Sequence, residues 1–137
     1  MDAFKKLEKN LLEGYSLIVI KDDKEIFKSK DHGIKALFQL LDKDKDILKH
    51  TIVLDKRVGR AAALLLIKGD IKKLITLKLS KSAKQSLKEN NILFEAQEIV
   101  DNIMSKDGSK ICRLEELSQD REANDFFEIL KIKKIFE

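Results

Sequence analysis

Between Thr51 and Phe94 three short apolar stretches alternate with two segments of helical character. The strands read as Thr51-Ile52-Val53-Leu54, Lys73 to Leu79 and Ile92-Leu93-Phe94; the helices between them read as Ala61 to Ile67 and about Ser82 to Asn90. Strands joined through a whole helix cannot form hairpins. They pair in parallel, and each connection is a right-handed crossover that lays its helix on a face of the sheet. Upstream, Leu17 to Ile20 and Glu25 to Lys28 flank Asp22-Asp23, which signals a tight antiparallel hairpin. The first of these strands is apolar on both faces and belongs inside the sheet, the second nearer an edge, and Thr51 to Leu54 is short enough to be central. The expected fold is α/β, a three-layer sandwich around a mixed five-stranded sheet made of one antiparallel hairpin plus three parallel strands, with helices on both faces.

Helical spacing marks the rest. Phe4, Leu7, Leu11 and Leu12 recur on one face of a first helix that Gly14 is placed to end. Ile34, Leu37, Phe38 and Leu41 do the same for a second, with Asp31 upstream as its cap. Ile99, Val100, Ile103 and Met104 suggest a short helical turn before the polar loop Ser105 to Lys110. Cys112 to Leu117 and Ala123 to Ile135 read as helices, a C-terminal helical extension over about 112–137. No proline, repeat or low-complexity linker interrupts the chain, so residues 1–137 are expected to form a single domain.

Composition removes several function classes. A chain of 137 residues supports one packed core, and 43% hydrophobic with 38% charged residues describes a compact domain with a heavily charged surface. The longest apolar run is the seven residues Ala61 to Ile67, too short to span a membrane. Charges interrupt the first residues, Met1 to Lys6, so they lack the apolar centre of a signal peptide, and a cytoplasmic location is expected. The single cysteine cannot form an internal disulfide or hold a structural zinc by itself. The net charge of +4 is spread over interleaved signs, and the seven Phe and one Tyr sit mostly in apolar stretches, which speaks against nucleic acid as a partner. Arginine occurs only at 57, 60, 113 and 121, so these positions are more informative than any lysine.

The strand-to-helix stretch Asp55-Lys56-Arg57-Val58-Gly59-Arg60-Ala61-Ala62-Ala63-Leu64-Leu65-Leu66 and the loop Asp107-Gly108-Ser109-Lys110-Ile111-Cys112 resemble a family of uncharacterised prokaryotic proteins with a cytidine-deaminase-like fold. The resemblance spans roughly residues 12 to 118. It departs after the cysteine, where that family has proline and this chain has Arg113. Zinc deaminases carry H-x-E at one core helix start and P-C-x-x-C at the next, because three side chains hold the metal while a glutamate moves the proton. The corresponding places here are near Asp31-His32-Gly33-Ile34 and Lys56-Arg57-Val58-Gly59-Arg60. Only His32 survives as a ligand type, so the resemblance implies a scaffold without the zinc signature: no metal, no cofactor and no zinc-dependent deamination.

Asp55, Lys56, Gly59 and Arg60 are the candidate ligand-binding residues. Ligands of open α/β sheets bind outside the carboxyl ends of parallel strands, and a helix start beside cations suits a phosphate or carboxylate. In this reading Lys56 and Arg60 neutralise the ligand, Asp55 accepts a hydroxyl, Gly59 allows close approach and Arg57 points elsewhere. The alternative stays open that Asp55 merely caps the helix, Gly59 relieves packing and the cations are solvated. Cys112 and Asp107 are the candidate catalytic residues, Cys112 as a nucleophile; the structural alternatives are a small buried hydrophobe and a turn. His32 and His50 carry no more than capping or surface roles. The expected function is therefore binding of a nucleotide-like or otherwise anionic small molecule. A nucleotide-modifying enzyme using Cys112 or Asp107, and a protein-interaction or assembly module that pairs with a second copy as a homo-oligomer, are the alternatives.

Overall fold

The computed structural model describes residues 2–31, 33–104 and 112–136. Its strands are β1 (Leu17–Lys21), β2 (Lys24–Ser29), β3 (Ile52–Val58), β4 (Lys73–Ser80) and β5 (Leu93–Val100). They form one sheet in the order β2-β1-β3-β4-β5. β1 runs antiparallel to both β2 and β3, while β3, β4 and β5 are parallel. At the hairpin, Asp22 and Asp23 both take positive φ, 51° and 65°. That conformation matches the twist of the flanking strands, and a short carboxylate tolerates it better than a bulky side chain does. Leu17, Ile18 and Val19 are buried on both faces of the sheet and β2 lies at its edge.

The helices are α1 (Ala3–Leu12), α2 (Gly33–Lys43), α3 (Arg60–Lys68), α4 (Lys81–Glu89), α5 (Arg113–Ser118) and α6 (Ala123–Ile132). On one face α1 stands over the sheet with Leu7 packed on Ile18, Leu54 and Ile75. On the other, α2, α3 and α4 cover Leu17, Val19, Val53, Leu74 and Leu79. The six residues Ala61–Leu66 of α3 are all buried. Sheet lies beneath the helix, α2 and α4 beside it, and α5 and α6 cross its outer side. A helix apolar all round needs partners all round, and this explains the unbroken apolar run as well as the need for the C-terminal helices. Phe126, Phe127 and Leu130 of α6 close that outer layer.

Two strands are longer than their sequence suggests. β3 continues past Leu54 because Asp55, Arg57 and Val58 pair with Thr76, Lys78 and Leu79 of β4. β5 continues to Val100, where Ile99 and Val100 pair with Leu79 and Ser80, so the short helical turn expected at Ile99 to Met104 is corrected to strand over its first two residues. In both cases ladder hydrogen bonds to a neighbour override a weak local pattern.

Candidate functional site: a crevice where beta3 meets alpha3

Because β1 is antiparallel to β3, its amino end lies beside the carboxyl end of β3, and the Lys56 N–H donates to the Ser16 carbonyl across that boundary at 3.2 Å. Above it opens a crevice of about 470 Å³. Its walls come from Lys30 and Asp31 after β2, Gly33 and Ile34 at the start of α2, Asp55 to Arg57 and Gly59 on β3 and its turn, Ile103 and Met104 after β5, and Cys112, Arg113 and Glu115 of the α5 segment. A second cavity of about 450 Å³ lies between the outer face of α4 and Ile99. No buried polar side chain lines it, so the crevice is the candidate site.

Two helix starts face this crevice, and each has a glycine with a buried carboxyl group pressed against it. At α2 the group is Asp55, 3% exposed. A Cβ at Gly33 would stand 2.9 Å from its Oδ2. Burial pushes the Asp55 carboxyl up to about 8, against the opposing pull of the Lys56 and Arg57 backbone N–H groups and the Arg57 charge. Its Oδ2 has no hydrogen-bond partner among the described residues. At α3 the group is Glu115, 7% exposed, whose Oε2 and Oε1 accept the backbone N–H groups of Arg60 and Ala61, both at 2.9 Å. Burial raises its pKa, and those two hydrogen bonds and the Arg60 charge pull it back. Any Cβ at Gly59 would collide with the Glu115 carboxyl, so this glycine is required by close approach. Glu115 thus caps α3 from 55 residues away, because Gly59 in the N-cap position offers no side chain.

The expected site residues divide. Asp55, Lys56 and Gly59 line the crevice together with Arg57, and Lys56 and Arg57 are exposed. Asp55 lies inside β3, opposite Leu17 and Thr76, and does not cap α3. The assignment of Arg60 to the ligand is corrected. Its guanidinium turns away from the crevice, donating from Nε to the Ser118 carbonyl at 3.0 Å, from Nη1 to Ser86 Oγ at 2.7 Å and from Nη2 to the Arg121 carbonyl at 2.8 Å. These bonds tie α4, α5 and the α5–α6 turn to α3, and the fork geometry of arginine suits the task. Arg57, expected to point elsewhere, is the arginine of β3 that lines the crevice. Cys112 is half-buried in the wall and precedes α5 without a side-chain capping bond. His32 and Asp107 lie outside the described residues. His50 sits in a left-handed turn before β3, with φ 61°, bonded through its N–H to the Asp70 carbonyl. Among the described residues no three His, Cys, Asp or Glu side chains gather as metal ligands.

Glu115 and Lys30 were missed by sequence reasoning, and Arg113, marked there as one of four arginines, was not placed at the site. Each reaches the crevice only through the docking of its segment.

The Gly33 contact makes a prediction. Gly33→Ala should destabilise the protein by about 1–3 kcal/mol, because the new methyl, 2.9 Å from Oδ2, displaces the buried Asp55 carboxyl. Chemical denaturation measures this, and an unchanged midpoint would show that Asp55 moves freely.

Comparison with known proteins places this architecture. The chain matches, over residues 3–133, the family model described as a domain of unknown function, DUF1893. No match was found among curated proteins. Among solved structures, a DUF1893 family protein (TM1506) from Thermotoga maritima is 31% identical, with a TM-score of 0.83 over 96% of this chain and 86% of that one. RibD from Acinetobacter baumannii, form 2, is 15% identical with a TM-score of 0.51, over 70% of this chain and 36% of that one; this likeness bears on the fold alone, which is cytidine-deaminase-like. With the family model covering nearly the whole chain and a relative of nearly one-third identity sharing its fold, the chain belongs to the DUF1893 family, whose function is unknown.

Proposed function

We propose that this protein binds a small anionic molecule, nucleotide-like in charge and size, in the crevice at the carboxyl end of β3, and that it does so in the cytoplasm without a metal ion. One observation carries the reading: four exposed cations, Lys30, Lys56, Arg57 and Arg113, line a crevice that also contains the buried carboxyl group of Asp55. None of the four forms an ion pair among the described residues. Asp31 is the exposed acid beside them. Clustered cations at a concave site lower the energy of a bound phosphate or carboxylate and speed its capture. The start of α3 does not contribute an anion seat, since Glu115 already fills it.

Arg57→Ala should weaken ligand binding about tenfold to a hundredfold, the loss of one charge-assisted hydrogen bond. Arg60→Ala should instead lower thermal stability. Native mass spectrometry of the purified protein, followed by thermal-shift screening of phosphate-bearing compounds against both variants, tests the pair. If no such compound stabilises the wild type, the reading fails.

Cys112 in the crevice wall favours one second reading, an enzyme that modifies the same ligand with Cys112 as nucleophile. Turnover abolished by Cys112→Ser would select it. Both readings predict a preparation without stoichiometric zinc, because catalytic zinc takes three protein ligands. Elemental analysis finding one zinc per chain would overturn this.

A further inference from the structure

The least satisfied group in the crevice is the carboxyl of Asp55. It lies on the strand face that turns toward α2, against a glycine that leaves room for nothing but hydrogen. The charged groups around it are already accounted for. Lys56 and Arg57 follow it on its own strand and are exposed; Lys30 and Asp31 come from the end of β2 and are exposed; Arg113 of α5 is exposed. Glu115, on the opposite wall, spends both oxygens on α3. Cys112 is the remaining titratable group of the described lining. No cation forms a salt bridge with Asp55 among the described residues.

A carboxyl held this way does not keep a charge, and an uncharged carboxyl carries an O–H that must donate. Donors buried without an acceptor are rare in folded proteins, so one that lines a crevice calls for an acceptor from outside the chain. We propose that Asp55 is the specificity-determining residue of the crevice: its carboxyl turns from its packed position against Gly33 toward the opening and donates a hydrogen bond to an uncharged acceptor of the ligand, a carbonyl oxygen or ring nitrogen, while the ligand's anionic group sits among Lys30, Lys56, Arg57 and Arg113. This rests on the anion-binding reading above and narrows it to anions that also carry such an acceptor. An ionised Asp55 would repel the same acceptor. Since burial holds the carboxyl protonated until about 8, binding is strong below that pH and falls above it.

Calorimetric titration with two probes decides the matter. Cytidine 5′-monophosphate carries both a phosphate and the uncharged carbonyl oxygen and ring nitrogen of its base; ribose 5-phosphate carries the phosphate and sugar without the base. Titrations run at pH 7 and pH 9 on the wild type, Asp55→Asn, which keeps a donor and cannot ionise, and Asp55→Leu, which has no donor. The nucleotide should bind the wild type about tenfold more tightly at pH 7 than at pH 9, relative to ribose 5-phosphate. The Asn variant should lose that pH difference, and the Leu variant should bind the nucleotide no better than the sugar phosphate at either pH. The wild-type pH comparison needs no variant to fold. If both probes bind equally well and independently of pH and of residue 55, anion binding stands and the role of Asp55 is overturned. If neither probe binds the wild type, the anion-binding reading falls and takes this inference with it.

Discussion

Replacing Glu115 with alanine is expected to cost about 3 kcal/mol of stability, roughly 10 °C in melting temperature for a domain of this size. Both carboxylate oxygens accept backbone N–H groups at the start of α3, and Ala61 is fully buried. Alanine at 115 leaves those donors with no partner in a place where water enters poorly, which is the costly form of losing a hydrogen bond. The same change releases α5 from α3, so the loss should extend to the seam where Arg60 holds Ser118 and Arg121. Glu115→Gln is the informative companion. It preserves shape and one acceptor but brings an amide donor against a second N–H, so it should fall between wild type and alanine. Urea denaturation of the three proteins gives the comparison. Equal midpoints for wild type and alanine would mean that α3 finds its cap elsewhere.

Asp55→Asn should reshape the dependence of stability on pH. In the unfolded chain the carboxyl ionises near its ordinary value of 3.8, whereas burial keeps the folded group protonated to about 8. Between those values the folded state holds a proton that the unfolded state has released. The stabilisation is therefore complete below about 3.8 and drains away, by up to ~1.4 kcal/mol per pH unit, until the folded group ionises near 8. Glu25 and Asp101 have lowered pKa values through Lys28, Lys6 and Lys81, and act in the opposite sense at acidic pH. Both form surface ion pairs, so their contribution is small. The asparagine variant cannot ionise and should show a flatter profile from pH 5 to 8 and greater stability than wild type at pH 8. Denaturation midpoints at pH 5, 6, 7 and 8 measure both. Parallel profiles for the two proteins would show that Asp55 is ionised in the folded state at neutral pH.

The layout of the fold was legible because it depends on local pattern. Ile52 to Leu54, Leu74 to Leu79 and the helices between them alternate in a way that admits parallel crossovers, and β3-β4-β5 are parallel. The apolar run at Ala61 to Leu66 marked the buried helix, and Asp22-Asp23 marked the hairpin turn. The ends of β3 and β5 were not legible, because whether Asp55 to Val58 continue as strand depends on the ladder that β4 provides. Asp55, Lys56 and Gly59 could be picked out because the change from strand to helix between Leu54 and Ala61 is a local feature, although the strand itself runs on to Val58.

Arg60 and Arg57 show where that reasoning stops. Three residues apart in the same motif, one is aimed by the end of β3 and the other by the start of α3, and the partners that claim Arg60 are Ser86, Ser118 and Arg121. Glu115 is one of two adjacent glutamates with no feature to distinguish it from Glu116, yet it alone meets a helix start 55 residues earlier in the chain. By itself the sequence determined which segments are helix and strand, and that their alternation makes a parallel sheet, because those properties come from the spacing of apolar side chains along a few turns or pleats. The tertiary structure alone decided which charged groups are spent inside the protein and which face the crevice. That choice depends on contacts between segments far apart in the chain, which only packing brings within hydrogen-bond distance.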